Sequence, residues 1–320
     1  MDALTTILSR CRLCGHGCGA DRAAGETGPC RAGAALKVAA HLPHHGEEPP
    51  LSGVRGSGTI FFSHCPLACV FCQNHQISQG GLGREVSVAD LADMMFELEA
   101  RGVHNINLVS PTPWAAHIAA ALEIARRRGL ALPVVYNTGG FDSPAALGLM
   151  DGLVDVYLPD VKYRGEGRTG RDSPDRLAAA RLFGARNYEA VNRAAVVEMY
   201  WQVGSLVTGG GGLARRGVLV RHLVLPEDLA GTGRVLAWLA ERFGREVWLS
   251  LMAQYLPRHR VLAEPEVFPG LARPLTETEY ETALDQALDL GLENVFVQDL
   301  EAPETYVPDF TTADVFNRKE

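Results

Sequence analysis

The sequence has no cysteine from residue 73 to residue 320, no block of lysine and arginine, and no apolar run of membrane-spanning length. A formal net charge of −8 and the missing basic block argue against a surface that binds nucleic acid. The apolar stretch 130–137 (LALPVVYN) is far shorter than the roughly 20 residues that cross a bilayer. We therefore expect neither a nucleic acid nor a membrane among the partners of this chain.

The N-terminal sequence MDALTTILSRC lacks the basic region, apolar stretch and cleavage site of a secretory signal. We therefore expect a cytoplasmic protein, whose thiols are reduced. The chain has 320 residues, of which 47% are hydrophobic and 21% charged. This ordinary globular composition suffices for one large core, or for a core with a small appendage.

The seven cysteines are unevenly distributed along the chain. They form a group of four and a group of three, at positions 11, 14, 18 and 30 and at positions 65, 69 and 72. Cysteines that only fill space in a core would be scattered along the sequence with the rest of that core. Clustering of this kind indicates metal binding.

From residue 58 onward, short apolar segments alternate with helical patterns. The predicted strands are 58–63, 104–110, 133–137, 154–159, 218–225, 246–252 and 294–298. They are rich in Val, Ile and Leu without polar alternation, which is typical of parallel strands that are buried on both faces. About six strand–helix units over residues 58–300 predict an α/β fold, a partial (β/α)6 barrel of TIM type. The periodicity leaves an open, doubly wound sheet as the alternative.

Three helix starts are visible between the strands. Ser87 and Asp90 have the spacing of a capping box, and apolar residues follow at helical spacing. Thr112-Pro113 and Ser143-Pro144 each place a capping residue before a proline suited to a first helical turn.

Polar residues follow several of the predicted strands directly. They are the segments Ser110-Pro-Thr-Pro113, Asn137-Thr-Gly-Gly140 and Asp160-Val-Lys162, and the cysteines at 65, 69 and 72 follow the first strand in the same way. Because chemistry in such barrels lies at the carboxyl ends of the strands, we expect these segments to meet at one mouth.

Three other segments differ from the barrel pattern. Residues 1–57 are predicted as a small Cys-rich metal-binding segment, in which 41–53 (HLPHHGEEPPLSG) is turn-rich and contributes little to a core. Residues 204–217 (GSLVTGGGGLARRG) are predicted as a flexible insertion before the fifth strand. Residues 301–320 are predicted as an irregular C-terminal tail.

The loop Cys65-x3-Cys69-x2-Cys72 can place three thiolates at three corners of a [4Fe–4S] cluster. The fourth iron then has no protein ligand and can bind a substrate, as a catalytic metal does when it keeps one position open. A fourth thiol would close the site, so the odd number of cysteines fits a catalytic centre.

At these residues the sequence resembles the radical S-adenosylmethionine (SAM) superfamily. HCPLACVFCQN (64–74) is similar to the family's cluster loop, with Phe71 before the last cysteine, and the resemblance is closest to the branch of pyruvate formate-lyase-activating enzyme. It implies a [4Fe–4S] cluster whose electron cleaves SAM to a 5′-deoxyadenosyl radical, which abstracts hydrogen from a substrate. It also implies an electron donor such as flavodoxin or ferredoxin.

The resemblance also implies roles for residues that contact SAM. Phe71 would lie near the adenine. Ser110 and Thr112 stand where the family has a Gly-Gly-Glu motif for the amino group, although the segment here has no carboxylate. Asn137 stands where a polar residue holds the ribose hydroxyls.

Four more residues receive roles in the same way. Lys162 matches a lysine that reaches the SAM carboxylate, with Asp160 beside it. Arg221 matches a basic residue in the mouth of the barrel, and Leu223 could contact the adenine. Of these, Lys162 and Arg221 are the expected catalytic residues.

The N-terminal cysteines follow the pattern Cys11-x2-Cys14-x3-Cys18-x11-Cys30. Four thiolates suit either a structural zinc or a closed iron–sulfur centre, and the spacing does not decide between them. His16 lies within the loop and could replace a thiol. The arrangement resembles the leader of some radical SAM proteins that are similar to the activating enzyme. Activases with extra clusters carry them after the SAM loop, so the position here argues against a simple activase.

Two functions compete on this evidence. The first is a radical SAM enzyme that acts on an unidentified substrate, either a glycyl-radical protein or a small molecule or peptide. The alternative is a non-catalytic iron–sulfur or zinc protein, such as an electron carrier or adaptor. The second explains clustered cysteines, but it does not explain why one group lacks a fourth ligand.

Overall fold

Ten strands and eleven α-helices are found in residues 3–300, 307–312 and 314–316, which the computed structural model describes. The strands are β1 (Lys37–His44), β2 (Ser57–Phe62), β3 (Arg84–Glu85), β4 (Ile106–Val109), β5 (Val134–Thr138), β6 (Val156–Pro159), β7 (Val207–Thr208), β8 (Ala214–Leu223), β9 (Trp248–Met252) and β10 (Asn294–Val297). The helices are α1 (Ala3–Leu8), α2 (Pro49–Ser52), α3 (His75–Ser78), α4 (Val88–Ala100), α5 (Ala115–Arg127), α6 (Pro144–Met150), α7 (Pro174–Phe183), α8 (Tyr188–Val203), α9 (Thr232–Phe243), α10 (Arg260–Ala263) and α11 (Glu277–Asp289).

Seven parallel strands form the body of the sheet. They are adjacent in the order β2-β4-β5-β6-β8-β9-β10, which is also their order along the chain. Every crossover therefore runs in one direction and the sheet curls, whereas a doubly wound sheet would reverse its order at a switch point. The predicted partial barrel is confirmed, with six strand–helix units and a final strand.

The glycine-rich segment before the fifth barrel strand is a hairpin rather than an unpaired insertion. β7 pairs antiparallel with the start of β8, with Val207 opposite Arg216. Gly211 and Gly212 make the turn between them with φ values of 76° and 73°, a conformation that glycine adopts without steric cost. The barrel strand consequently begins at Ala214, before the predicted residue 218.

Two antiparallel strands that were not predicted extend the sheet at one edge. β1 pairs with β2, and β3 pairs with β1. β1 lies before the predicted boundary at residue 57 and β2 begins at Ser57 itself, so the same sheet spans both sides of that boundary. The division of the chain into segments at residue 57 stays a prediction.

The segment after β1 enters the interior of the barrel. Leu51 of α2 is completely buried in an apolar cluster with Val135, Val156 and Leu219, which lie on β5, β6 and β8. The expectation that residues 41–53 contribute little to a core is therefore wrong. Two residues further along the same strands lie Asn137, Leu158 and Arg221. Every second side chain of a strand lies on the same face, so these three are on the same face as Val135, Val156 and Leu219.

The helices cover the outside of the sheet, and two predicted starts are confirmed. Ser87 caps α4 in a capping box with Asp90, and the Ser143 hydroxyl accepts from the Ala146 amide at the start of α6. Thr112 does not cap a helix, because it lies inside the short 3-10 helix Thr112–Trp114. No helix in the described part of the chain is both long and apolar enough to cross a bilayer.

The described residues of the C-terminal segment pack against the outer strands. The ring of Phe310 meets Phe61 edge-on at 5.2 Å, and the ring of Phe316 stacks on His44 at 4.3 Å. Residues 307–312 and 314–316 contain turns and bends without a helix or strand. The rest of the predicted tail, 301–306, 313 and 317–320, lies outside the described residues.

Candidate active site

The loop with three cysteines leaves the carboxyl end of β2. His64 turns the chain with a left-handed φ of 71°, and its amide donates to Ile77 O at 2.9 Å. Further along, the amides of Ala68 and Val70 donate to carbonyls at the end of α7, Phe183 O and Leu182 O. The loop therefore lies at the end of the first barrel strand, where the sequence predicts it, and hydrogen bonds fix it on both sides.

The three thiols of this loop are close together, with Cys69 buried and Cys65 and Cys72 half-buried. Burial raises the pKa of Cys69 to about 12, although the nearby Lys162 opposes the rise. Burial also raises the pKa values of Cys65 and Cys72, and repulsion by the Cys69 thiolate adds to the rise at Cys65. At neutral pH the free thiols are therefore protonated, and all three become thiolates only if a cation balances their charge. This donor set fits an iron–sulfur cluster.

The cysteine side chains of neither group are arranged around a single metal ion. In residues 3–300, 307–312 and 314–316, no group of three His, Cys, Asp or Glu side chains is placed to hold one metal ion. This holds for both cysteine groups. The metal-ligand roles of the seven cysteines stay predictions.

A cavity at the mouth of the barrel brings most of the predicted site residues together. Its lining includes Cys69, Cys72, Phe71, Asn137, Asp160, Lys162, Arg221 and Leu223. Phe71 forms part of an aromatic wall, with its ring 5.6 Å from the ring of Tyr255. These residues come from the loop after β2, from β5 and β8, and from the segment directly after β6. Three of the four segments expected at one mouth therefore line the same cavity.

Asp160 links the two expected catalytic cations. Its Oδ2 accepts a hydrogen bond from Lys162 Nζ, and its Oδ1 accepts from Arg221 Nε at 3.0 Å. Burial alone would raise the pKa of Asp160, but Arg221 and Lys162 together hold it below its ordinary value. Asp160 is therefore a carboxylate, and it keeps both cations charged inside the barrel.

Arg221 also connects Asn137 to a residue that the sequence analysis missed, Glu47. Arg221 Nη2 donates to Asn137 Oδ1 at 2.8 Å, and Arg221 Nη1 lies 3.4 Å from Glu47 Oε2. Asn107 Nδ2 donates to Glu47 Oε1 at 3.0 Å. Burial raises the pKa of Glu47, while Arg221 and Asn107 oppose the rise. The paired acids of HHGEEPP were the only signal for this residue, because nothing local indicates that the segment enters the barrel.

Ser110 and Thr112 do not line the cavity. Ser110 has a left-handed φ of 59°, and its amide donates to Asn137 O. The Thr112 hydroxyl is buried 3.2 Å from Thr138 Oγ1, which in turn donates to Asp142 Oδ2 at 2.6 Å. The 3-10 helix that starts at Thr112 turns this side chain away from the mouth, so the structure does not bring it to the expected SAM subsite.

The N-terminal cysteines lie beside the same end of the barrel. Cys11 and Cys30 are buried, Cys14 is half-buried and Cys18 is exposed. Burial raises the pKa of Cys14 to about 12, and repulsion by the other three thiolates adds to the rise, so the four thiols are neighbours. His16 Nε2 donates to Pro66 O at 2.8 Å, next to Cys65, and thereby contacts the loop with three cysteines.

Residues 59–166 match the family model of the radical SAM superfamily. This part of the chain is a radical SAM domain. Such a domain implies an enzyme that uses a [4Fe–4S] cluster and SAM. The branch of pyruvate formate-lyase-activating enzyme is not distinguished by this match.

Two similar proteins extend over more of the chain. The uncharacterized protein MJ0674 of Methanocaldococcus jannaschii is 28% identical over 300 residues, which cover 91% of this chain and 78% of the relative. The solved structure of native anSMEcpe with bound AdoMet matches at a TM-score of 0.45 and 11% identity, over 78% of this chain. The match spans 62% of the length of that solved chain.

Proposed function

We propose that this radical SAM enzyme cleaves SAM reductively at the mouth of the barrel and uses the resulting radical to abstract hydrogen from a substrate. The observation that carries the proposal is the common cavity, where Cys69 and Cys72 face Lys162 and Arg221. Cys65, Cys69 and Cys72 would hold the [4Fe–4S] cluster. When bound, that cluster supplies the electron that cleaves SAM to methionine and a 5′-deoxyadenosyl radical.

The residues of the chain would bind and orient SAM. Lys162 carries a positive charge that Asp160 maintains, and it lines the cavity near Cys69, where it can pair with the SAM carboxylate. Phe71 and Leu223 offer apolar surface for the adenine, and the amide of Asn137 lies at the level of Arg221, within reach of polar ribose atoms. The aromatic wall formed by Phe71 and Tyr255 would shield one side of a radical from water.

We propose a small molecule or a short peptide segment as the substrate. Besides the strand ends, the cavity is lined by Glu47 from the N-terminal segment and by Phe316 from the C-terminal segment, so both segments help to enclose it. The position of the extra cysteines before the SAM loop also argues against a simple activase. Activation of a glycyl-radical partner remains the competing substrate class, with flavodoxin or ferredoxin as electron donor in either case.

A second metal centre at Cys11, Cys14, Cys18 and Cys30 is part of the proposal. Its support is the proximity of the four thiols: burial raises the pKa values of Cys14 and Cys30, and repulsion by neighbouring thiolates of the group adds to both rises. With two centres the chain would be a two-cluster enzyme, or a one-cluster enzyme with a structural zinc.

The test is SAM cleavage by the anaerobically reconstituted protein. With dithionite and SAM, we expect 5′-deoxyadenosine from the wild-type chain and a loss of at least about 100-fold in Cys69→Ser, because one iron loses its ligand. The chain has no cysteine outside its two groups, so Val207→Ser, at an exposed position in β7, serves as the control. Equal cleavage by Cys69→Ser and the control would contradict the proposal.

The alternative of a non-catalytic metal protein is separated by the response to SAM. For the enzyme we expect SAM to change the EPR signal of the reduced cluster, because SAM would bind the iron that no cysteine holds. For an electron carrier or adaptor, the signal would be the same with and without SAM. A pull-down that recovers a glycyl-radical protein would favour the competing substrate class.

A further inference from the structure

Arg22 is a charged side chain buried in the N-terminal segment. It is only 1% exposed, and its guanidinium lies 4.9 Å from the ring centroid of the equally buried Trp114. Its Nε and Nη2 donate to Gly33 O at 2.9 and 2.7 Å, and its Nη1 donates to Pro113 O at 2.6 Å. Every one of these partners is neutral.

Hydrogen bonds to carbonyls satisfy the N–H groups of Arg22 but do not balance its charge. Burying an unpaired charge costs several kcal/mol, and buried arginines are accordingly paired with anions. Arg221, the buried arginine of the barrel, follows this rule with Asp160 and Glu47. Among the residues that the structure describes, no Asp or Glu forms an ion pair with Arg22.

The remaining contact of Arg22 is a cysteine. Its Nη1 lies 3.7 Å from Cys11 Sγ, and its charge also opposes the rise in the pKa of Cys30. The cation is therefore directed at the group of four thiols. A neutral thiol gives it no countercharge, whereas a metal-bound thiolate does.

We propose that Cys11, Cys14, Cys18 and Cys30 bind one metal centre as four thiolates and that Arg22 is its buried counterion. Each cysteine releases its proton to solvent as its sulfur binds the metal. As they stand, the four thiols are not arranged around a single ion, so a zinc ion would draw them together, whereas a [4Fe–4S] cluster has more widely spaced ligands. In either case four thiolates leave the centre with a net negative charge, and the cation of Arg22 offsets it. This inference rests on the second metal centre proposed above, but not on SAM cleavage.

The test uses the full chain with Cys65, Cys69 and Cys72 all replaced by serine, so that only the N-terminal group can bind metal. This protein is reconstituted anaerobically either with iron and sulfide or with zinc sulfate. About four irons with matching sulfide identify a cluster, and about one tightly held zinc identifies a zinc site. No stoichiometric metal from either probe would overturn the inference. Because this protein lacks the three cysteines of the loop after β2, the outcome is independent of the proposed SAM cleavage.

The counterion role is tested by Arg22→Met in the same protein. We expect the metal to be held about 10- to 100-fold more weakly, as when the hydrogen-bond partner of a metal ligand is removed, and Arg22→Lys to restore part of the affinity. Without metal, Arg22→Met should unfold at no lower urea concentration than its parent, because an unpaired buried charge has been removed. If Arg22 had only a structural role, Arg22→Met would unfold at a lower urea concentration without metal and would hold metal as tightly as its parent.

The control is Arg12→Gln, which removes the same charge from an exposed residue beside Cys11. We expect it to hold metal as tightly as its parent. If Arg22→Met also holds metal as tightly as the parent, the counterion role is refuted.

Discussion

Asp160 is the residue on which the charge balance of the cavity depends. It is the common anion of Lys162 and Arg221, and all three side chains are largely buried. Removing one partner of a buried ion pair is costly, because it leaves an uncompensated charge that water cannot reach. Without Asp160, Arg221 would keep only its longer ion pair with Glu47, and Lys162 would lose its carboxylate partner.

We therefore predict that Asp160→Asn lowers the free energy of unfolding by about 3–5 kcal/mol. The matched control is Asp93→Asn, which breaks the ion pair of Asp93 with Arg128 at the surface, where both side chains are about half exposed. Its expected cost is at most about 1 kcal/mol. Urea unfolding of the metal-free, reduced protein at pH 7 measures both variants, and equal losses would show that the Asp160 pairs contribute no more than a surface pair.

At the same scale, the sequence predicted some site residues and missed others for identifiable reasons. Asn137, Asp160 and Lys162 were found because they lie at the carboxyl ends of buried strands, where the topology of a barrel fixes their position. Thr112 has the same sequence signature, but a 3-10 helix rotates it toward Thr138. Glu47 has no such signature, since its place in the cavity depends on how a distant segment packs.

At the scale of elements, the parallel strands were predictable and the antiparallel strand β1, next to the edge of the sheet, was not. The parallel strands are continuous apolar runs, which is the pattern of burial on both faces. β1 contains two histidines and Pro43, and its residues are mostly half-buried. A proline lacks the N–H for a ladder hydrogen bond and is tolerated near the edge of a sheet, so the local sequence reads as a turn.

Helix α2 is short, but it closes the interior of the barrel. We predict that Leu51→Ala costs about 2–5 kcal/mol of unfolding free energy, because it leaves a cavity between β5, β6 and β8. Val54→Ala, three residues away at a side chain that is 89% exposed, should change stability by no more than about 0.5 kcal/mol. Thermal and urea unfolding of both variants measure the difference, and a Leu51→Ala cost as small as that of the control would mean that the barrel collapses around the missing side chain.

At the scale of the whole molecule, the buried carboxyl groups give folding a dependence on pH. Burial raises the pKa of Glu48 above its ordinary value of 4.5, with a further rise from Glu47 and an opposing effect of Arg221. One of its oxygens, Oε2, is buried without a hydrogen-bond partner among the described residues. The stability that Glu48 contributes is thus complete below pH 4.5 and is lost as the pH rises through the raised value.

We predict that Glu48→Gln becomes more stable relative to wild type as the pH rises from 4.5 to 8. The glutamine stays neutral, so it escapes the cost of ionising inside the barrel. Urea midpoints of the metal-free protein across this range measure the trend. Glu241→Gln, at an exposed residue, should stay at a constant offset from wild type. A Glu48→Gln offset that is equally constant would show that Glu48 keeps the same protonation state in both forms.

The packing site of Leu51 has a consequence for how the chain folds during synthesis. The residues that surround it extend to Leu219, so its packing site does not exist until most of the chain has left the ribosome. The N-terminal cysteines and the SAM loop emerge long before that point. Newly synthesised chains must therefore hold seven thiols in an unfinished fold. If these thiols bind clusters as proposed, cluster insertion competes in time with closure of the barrel. The order of these two events then determines whether the thiols bind iron or are oxidised first.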